Sequence, residues 1–291
     1  MNTAETSKPI SGDKLYQQRA RVALPLLVRQ AQAGVTISYS NLAEELGMPN
    51  PHNLNYVLGS IGRSLEILSE EWKEKVPPIQ CLVVNKNTDL PGNGIGWFLV
   101  KKEEFSALPL IKKRAIVEAE LQHIFLYPRW AEVLKAFSLD PVDANYTSLI
   151  ETVARRGGAG ESEQHKALKE YVAHNPAAIG LKATTPHGIT ECSLLSGDFL
   201  DVSFRDEKIW VAAEVKSALS NEADIIRGLF QCVKYRAVME AVLISQSRPQ
   251  NARAILVLES KLPQSLIPLK NVLGIEVVDC VTPPNSVMRD E

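Results

Sequence analysis

Cysteine is scarce in this 291-residue chain, and the four present, Cys81, Cys192, Cys232 and Cys280, lie far apart with no C-x-x-C pair. That spacing argues against a structural zinc site and for buried thiols in a reducing compartment, so a cytoplasmic protein is expected. No apolar run reaches the roughly 18 residues that a membrane span needs. The stretch from Met1 to Lys14 is polar, mixed in charge and without a signal-peptide core, so no membrane partner is expected. Histidine is also sparse. The five are scattered, none at metal-ligand spacing, and each reads as structural or exposed. The run Arg155-Arg156-Gly157-Gly158-Ala159-Gly160 lacks the Lys-Ser/Thr of a phosphate-binding loop, which argues against nucleoside-triphosphate chemistry. There is no internal repeat and no low-complexity segment. Net charge is only −2, which neither favours nor excludes a polyanionic partner, because a basic patch beside an acidic site cancels in the sum.

What is present is the composition of a globular protein, 45% hydrophobic and 23% charged, long enough for one large domain or two ordinary ones. The most informative stretch runs from Ser196 to Lys216. Two alternating apolar runs, Phe199 to Phe204 and Ile209 to Val215, flank the polar turn Arg205-Asp206-Glu207-Lys208 and predict a hairpin. Residues two apart in a strand share a face. Leu200, Val202 and Phe204 therefore point one way and Asp201 and Ser203 the other, while Glu214 and Lys216 stand opposite Val211, Ala213 and Val215. Asp201, Glu214 and Lys216 can meet where adjacent strands leave an apolar sheet. Two carboxylates and an ammonium there suit a hard divalent cation and a water to be activated. Asp198 competes for the aspartate role, but its parity places it with Leu200 and Val202 unless a bulge intervenes, and it reads as a turn residue.

Earlier in the chain, residues 15–33 read as a helix interrupted at Pro25. A short helix follows within Thr36 to Gly47, capped by a hydroxyl-bearing residue and ended by Gly47, and a longer one runs from about His52 to Lys73 with Leu54, Val57, Leu58, Ile61, Leu65 and Leu68 at helical spacing. This is the spacing of a helix-turn-helix. Val76 to Lys86 reads as a strand, and Trp97 to Val100 as its return after a Gly/Pro-rich loop; together they would form a wing.

Residues 35–100 resemble the DNA-binding domain of O6-alkylguanine-DNA alkyltransferases and alkyltransferase-like proteins. The matching residues are Ser38-Tyr39-Ser40-Asn41-Leu42-Ala43, Asn53-Leu54-Asn55-Tyr56-Val57-Leu58-Gly59 and Pro78-Ile79-Gln80-Cys81-Leu82-Val83-Val84. Aligning the two valines puts Gln80 where that family carries its acceptor cysteine and Cys81 where it carries histidine. The resemblance therefore implies DNA binding, with Tyr39, Ser40 and Asn55 as contacts, and not alkyl transfer.

Residues 106–150 read as a helical connector, broken at Tyr127-Pro128, with a boundary near Pro141 to Ala154. The remainder reads helix (161–174), strand (189–195), hairpin (197–216), helix (221–239), strand (240–245), strand (253–258), short helix and strand (273–279). The expected organisation is an α/β (mixed α+β) chain: a winged-helix-like domain over 1–105, the connector over 106–150, and a sheet domain over 151–291.

An α-β-β-β-α-β order with Asp201 ahead of Glu214-Val215-Lys216 resembles the PD-(D/E)xK nuclease superfamily, of restriction-endonuclease-like fold, across residues 155–280. Gln231 and Tyr235, four apart on the following helix, resemble the post-catalytic motif of its RecB-type members. In that superfamily a carboxylate of the first helix often completes the metal shell. Glu163 fits the edge of an apolar stripe formed by Ala167, Leu168, Tyr171 and Val172, and Glu161 fits nearly as well. The resemblance implies a Mg²⁺-dependent DNA endonuclease (Mn²⁺ able to substitute), with Asp201, Glu214, Glu163 and the Val215 carbonyl as metal ligands. Lys216 would orient the attacking water, and Gln231 and Tyr235 would steady the site. Arg155, Arg156 and Arg227 would contact phosphate, and a homodimer would let two sites cut both strands. The alternatives are a non-catalytic DNA-binding protein on a nuclease scaffold, and a sensor of alkylated DNA acting through the N-terminal domain.

Overall fold

A computed structural model of the protein describes residues 6–99, 102–142, 146, 147, 149, 162–249 and 251–284. The chain divides into two compact units, Met1–Ala144 and Asn145–Glu291.

In the first unit, helix α1 (Leu15–Ala33) runs unbroken through Pro25 and ends at Gly34, whose φ of 68° is the left-handed conformation that glycine adopts without strain. A proline inside a helix costs about 3 kcal/mol. Burial of Leu24, Leu26 and Leu27 beside it, each worth roughly 1.5–3 kcal/mol, outweighs that cost, so the expected interruption does not occur. Strand β1 (Ile37–Ser38) leads into α2 (Tyr39–Glu45), where the Ser38 hydroxyl accepts the Asn41 N–H at 3.1 Å. A buried two-pronged ion pair, Arg29 to Glu45 at 2.6 and 2.9 Å, ties α2 to α1. After a 3₁₀ turn at Pro51–Asn53, α3 (Leu54–Trp72) buries the full stripe expected of it.

The wing differs from expectation. Ile79–Leu82 is a 3₁₀ turn, and only Val83–Val84 (β2) extends, pairing parallel to β1. Ile79, Gln80, Cys81 and Leu82 are all buried, so the alternation of a half-exposed strand is missing, and Pro77 and Pro78 lack ladder donors. The expected return strand is helical over Gly96–Leu99 (α4). A Cβ on Gly96 would lie 2.8 Å from that of Phe105, so a glycine there permits the close approach.

Helices α5 (Lys102–Ala107), α6 (Leu110–Leu126) and α7 (Trp130–Ala136) follow. They are not a separate connector. Phe105, Val117, Ile124, Trp130 and Leu134 belong to the same core as α1 and α3.

The second unit is a five-stranded sheet of order β3-β4-β5-β6-β7 between two helices. Helix α8 (Glu163–His174) precedes β3 (Ile189–Ser193), β4 (Phe199–Arg205) and β5 (Trp210–Lys216), which form an antiparallel meander. Helix α9 (Glu222–Ser245) then returns the chain to β6 (Ala252–Leu258), parallel to β5, and α10 (Ile267–Leu273) leads to β7 (Glu276–Val278), parallel to β6. Residues 240–245, expected as a strand, are the last turns of α9. Val242 and Leu243 continue the buried stripe of Tyr235 and Met239, and that packing overrides their β preference.

Alternation along β5 divides the two faces. Val211, Ala213 and Val215 pack with Leu168 and Val172 of α8, whereas Trp210 and Ala212 pack with Leu229 and Cys232 of α9. Among the described residues no helix is long and apolar enough to cross a membrane.

Candidate functional site

The ladder between β4 and β5 runs from Arg205↔Trp210 to Val202↔Ala213 and stops there. On the other side, the β3 register pairs Thr190 with Val202 and Cys192 with Leu200, skipping Glu191 and Asp201. Glu191 has φ 52°, a left-handed conformation costly for a non-glycine residue, and Lys169 of α8 forms an ion pair with it. The strands therefore part at Asp201. This also breaks the expected parity: Leu200 packs in the α9 core while Val202 and Phe204 pack in the α8 core.

Where the strands part, a side chain supplies what the ladder no longer does. The Val215 N–H donates to Asp201 Oδ2 at 2.8 Å. The other oxygen, Oδ1, lies 3.5 Å from His165 Nε2 on the first turn of α8. Burial pushes the Asp201 carboxyl upward, but the His165 contact, the Val215 N–H and the charges of His165 and Lys216 together hold it below the usual range.

Glu214 lies on the α9 side and is 3% exposed. Its carboxyl is raised to about 7, first by burial and then by the negative charge of Asp201, against the opposing pull of Lys216. The Lys216 ammonium stands 2.5 Å from Glu214 Oε1 and 3.5 Å from Gln231 Oε1. Gln231 Nε2 donates to the Tyr235 hydroxyl at 3.3 Å, which donates to the Phe199 carbonyl at 3.1 Å. Burial and the Glu214 charge push the Tyr235 phenol up, so it stays a donor. Gly228 of α9 makes room for this cluster, since a Cβ there would meet Leu256 Cδ1 at 2.7 Å and Lys216 Cε at 3.1 Å.

Asp201, Glu214, Lys216, Gln231 and Tyr235 are thus brought together. Glu163 is not: it is 94% exposed and faces Lys166 at 3.6 Å on its own helix. The buried stripe of α8 is Leu168, Val172 and Ala173, with Lys169, and Ala167 is exposed, so the helix is rotated from the expected face. That rotation carries Glu163 outward and His165 inward. The spacing of His165, Leu168 and Val172 was the available signal for His165. Asp198 is a turn residue held by Ser196 and Lys234 at 2.6 and 2.7 Å. Arg227 pairs with Asp224 at 2.8 Å. Glu161, Arg155 and Arg156 lie outside the described residues.

In the first unit the Tyr39 hydroxyl accepts the Gly92 N–H at 3.0 Å, and Ser40 and Asn55 are exposed. Cys81 is fully buried, and burial followed by the charge of Glu120 raises its thiol to about 12, which suppresses thiolate chemistry. Among the described residues no group of three or more His, Cys, Asp or Glu is gathered to hold a metal ion; the group against Glu214 is an ammonium.

Compared with known proteins, the chain matches no family model, no curated protein and no solved structure.

Proposed function

We propose that the second unit hydrolyses phosphodiester bonds in DNA with the help of a divalent cation. The observation that carries this reading is the convergence of Asp201, Glu214 and Lys216 where β4 and β5 part, backed by Gln231 and Tyr235.

The donor set fits a hard cation. Asp201 and Glu214 offer carboxylate oxygens, with the Val215 carbonyl as a further candidate, and the raised Glu214 carboxyl marks buried like charge that a cation would relieve. Bound Mg²⁺ or Mn²⁺ would supply Lewis acidity and a more acidic water. Asp201 and Glu214 hold the charge at the strand ends. Lys216, 2.5 Å from Glu214 and 3.5 Å from Gln231, would orient the attacking water and offset the negative charge that builds on the phosphate. Gln231 and Tyr235, anchored to the Phe199 carbonyl, keep that lysine from swinging away. Helices α2 and α3, with Tyr39, Ser40 and Asn55, would supply a DNA-contacting surface, and a role in restriction or defence fits the pairing.

Incubation with plasmid and Mg²⁺ tests the chemistry. Nicking is expected from the wild type and a loss of at least about 100-fold from Glu214→Ala or Lys216→Ala. Equal cleavage by wild type and variants, or none on any form of DNA, sinks the proposal.

A second reading, a sensor of alkylated DNA, is favoured by a different observation. The first unit holds a cavity of about 460 Å³ lined by Gly62, Arg63, Glu66, Glu70, Trp97 and Phe98. Behind Gly62 lies Gln80, 4% exposed, with neither amide atom hydrogen-bonded. Such an orphaned group is costly unless a ligand satisfies it. A preference for duplexes containing O6-alkylguanine, lost in a Gln80→Leu variant that folds at least as stably, is the outcome this reading expects.

A further inference from the structure

Helix α8 reaches the sheet with two side chains one turn apart. His165 Nε2 lies 3.5 Å from Asp201 Oδ1, and the Lys169 ammonium pairs with the Glu191 carboxylate. In the register of β3 and β4, residues 191 and 201 fall directly opposite one another, between the pairs Thr190↔Val202 and Cys192↔Leu200. A four-residue helical step and a cross-strand pair both span about 5–6 Å, so one turn of α8 matches the two strand positions.

Two carboxylates opposed in a ladder repel. With an extended backbone at residue 191 both side chains would stand on one face, their Cβ atoms about 4.5–5.5 Å apart. Glu191 instead has φ 52°, a left-handed conformation that is costly for a residue with a Cβ. Such strain persists only where the surroundings impose it. What imposes it here is Lys169, whose side chain is 6% exposed while that of Glu191 is 57% exposed. A buried ammonium requires a counter-charge, and the more exposed partner is the one that bends to meet it.

We infer that Lys169 is a positioning residue for Asp201. By drawing Glu191 into the left-handed conformation it keeps a second carboxylate off Asp201, whose two oxygens are then left to the Val215 N–H and to His165. The consequence for cleavage rests on the nuclease reading above; the placing of the Asp201 side chain does not. Lys169 acts through Glu191 and Asp201, with no contact to DNA of its own, so its loss should lower kcat and leave KM nearly unchanged.

The test compares the full-length wild type with Lys169→Met and with two double variants, Lys169→Met/Glu191→Gly and Lys169→Met/Glu191→Ala. Both double variants lack the ion pair and differ by one methyl group, so a general loss of fold would affect them alike. Only glycine takes the left-handed conformation without strain. Two readouts are followed: the NMR shift of the Asp201 carboxyl carbon in metal-free protein at neutral pH, and the kinetics of plasmid cleavage with Mg²⁺. The shift should be displaced in Lys169→Met and in the alanine double variant, and return to the wild-type value in the glycine one. In the same two variants kcat should fall about 10–100-fold, with KM within about twofold, and the glycine variant should recover. A wild-type shift in Lys169→Met, or the same displaced shift in both double variants, overturns the assignment. The expected pattern of shifts without DNA cleavage upholds the positioning and removes only the nuclease activity.

Discussion

Burial, and then the charge of Asp201, raise the Glu214 carboxyl to about 7, so its ionisation is coupled to folding. Its value in the unfolded chain is the ordinary 4.5, so the folded state binds the proton more tightly. Stability from this group is full below pH 4.5, falls as pH rises toward 7, and is gone above it, a swing on the order of 3 kcal/mol. Urea denaturation at pH 5 and pH 8 should show that decline in the wild type and lose most of it in Glu214→Gln. Because a bound cation must displace the same proton, stabilisation by Mg²⁺ should grow between pH 6 and pH 8. Gly228 gives a second residue-level expectation. Glycine to alanine within a helix normally gains about 1 kcal/mol. Here the added methyl would press on Leu256 and Lys216, so Gly228→Ala should lower the unfolding free energy measured in urea by about 1–3 kcal/mol. The approach of Asp201 to Glu214 and Lys216 was legible as a hairpin, and that of Gln231 to Tyr235 as a four-residue helical step, although the parity of β4 breaks between Leu200 and Val202. His165 shares the helical line of Leu168 and Val172, but the apolar stripe drawn through Ala167 and Tyr171 hid it, because the rotation of α8 is decided by the packing of Leu168, Val172 and Ala173.

At the scale of elements, legibility followed periodicity. Helix α3 and the β4–β5 hairpin carry clean 3.6- and 2-residue patterns, and both form within a residue or two of expectation. Where the pattern is saturated with apolar residues, period carries no information and tertiary packing decides. Ile79–Leu82 and Val242–Leu243 are two such places, and both were misassigned as strand. The end of α9 can be probed directly. Ala241 is exposed and inside the helix, so Ala241→Pro should cost about 3 kcal/mol or more in thermal or urea unfolding. Little or no loss would mean that residues 240–245 are not helical.

For the whole molecule, the important fact is that each unit has its own core. The α1–α7 cluster buries Leu24, Leu27, Ile61 and Ile124, and the sheet unit buries one cluster on each face. Polypeptides ending and beginning at the Ala144/Asn145 division should therefore each melt cooperatively when produced separately, as followed by circular dichroism. A sequence predicts such a division only through a shift in composition, and the helices of residues 102–136 show the limit of that signal. Residues 106–150 read as a connector, but Val117, Ile124 and Trp130 place their helices in the first core.

The bond from the Val215 N–H to the Asp201 carboxylate has one more outcome, for exchange with deuterated solvent. Most sheet amides are protected by a neighbouring strand and open only when that strand leaves. The Val215 amide is guarded by a single side chain at a frayed end of the ladder. In Asp201→Ala its exchange should quicken by at least about tenfold, while Ala212 and Ala213 next to it keep their protection. One amide resonance would then report on how firmly the carboxylate is held, in the free protein and as cation is added.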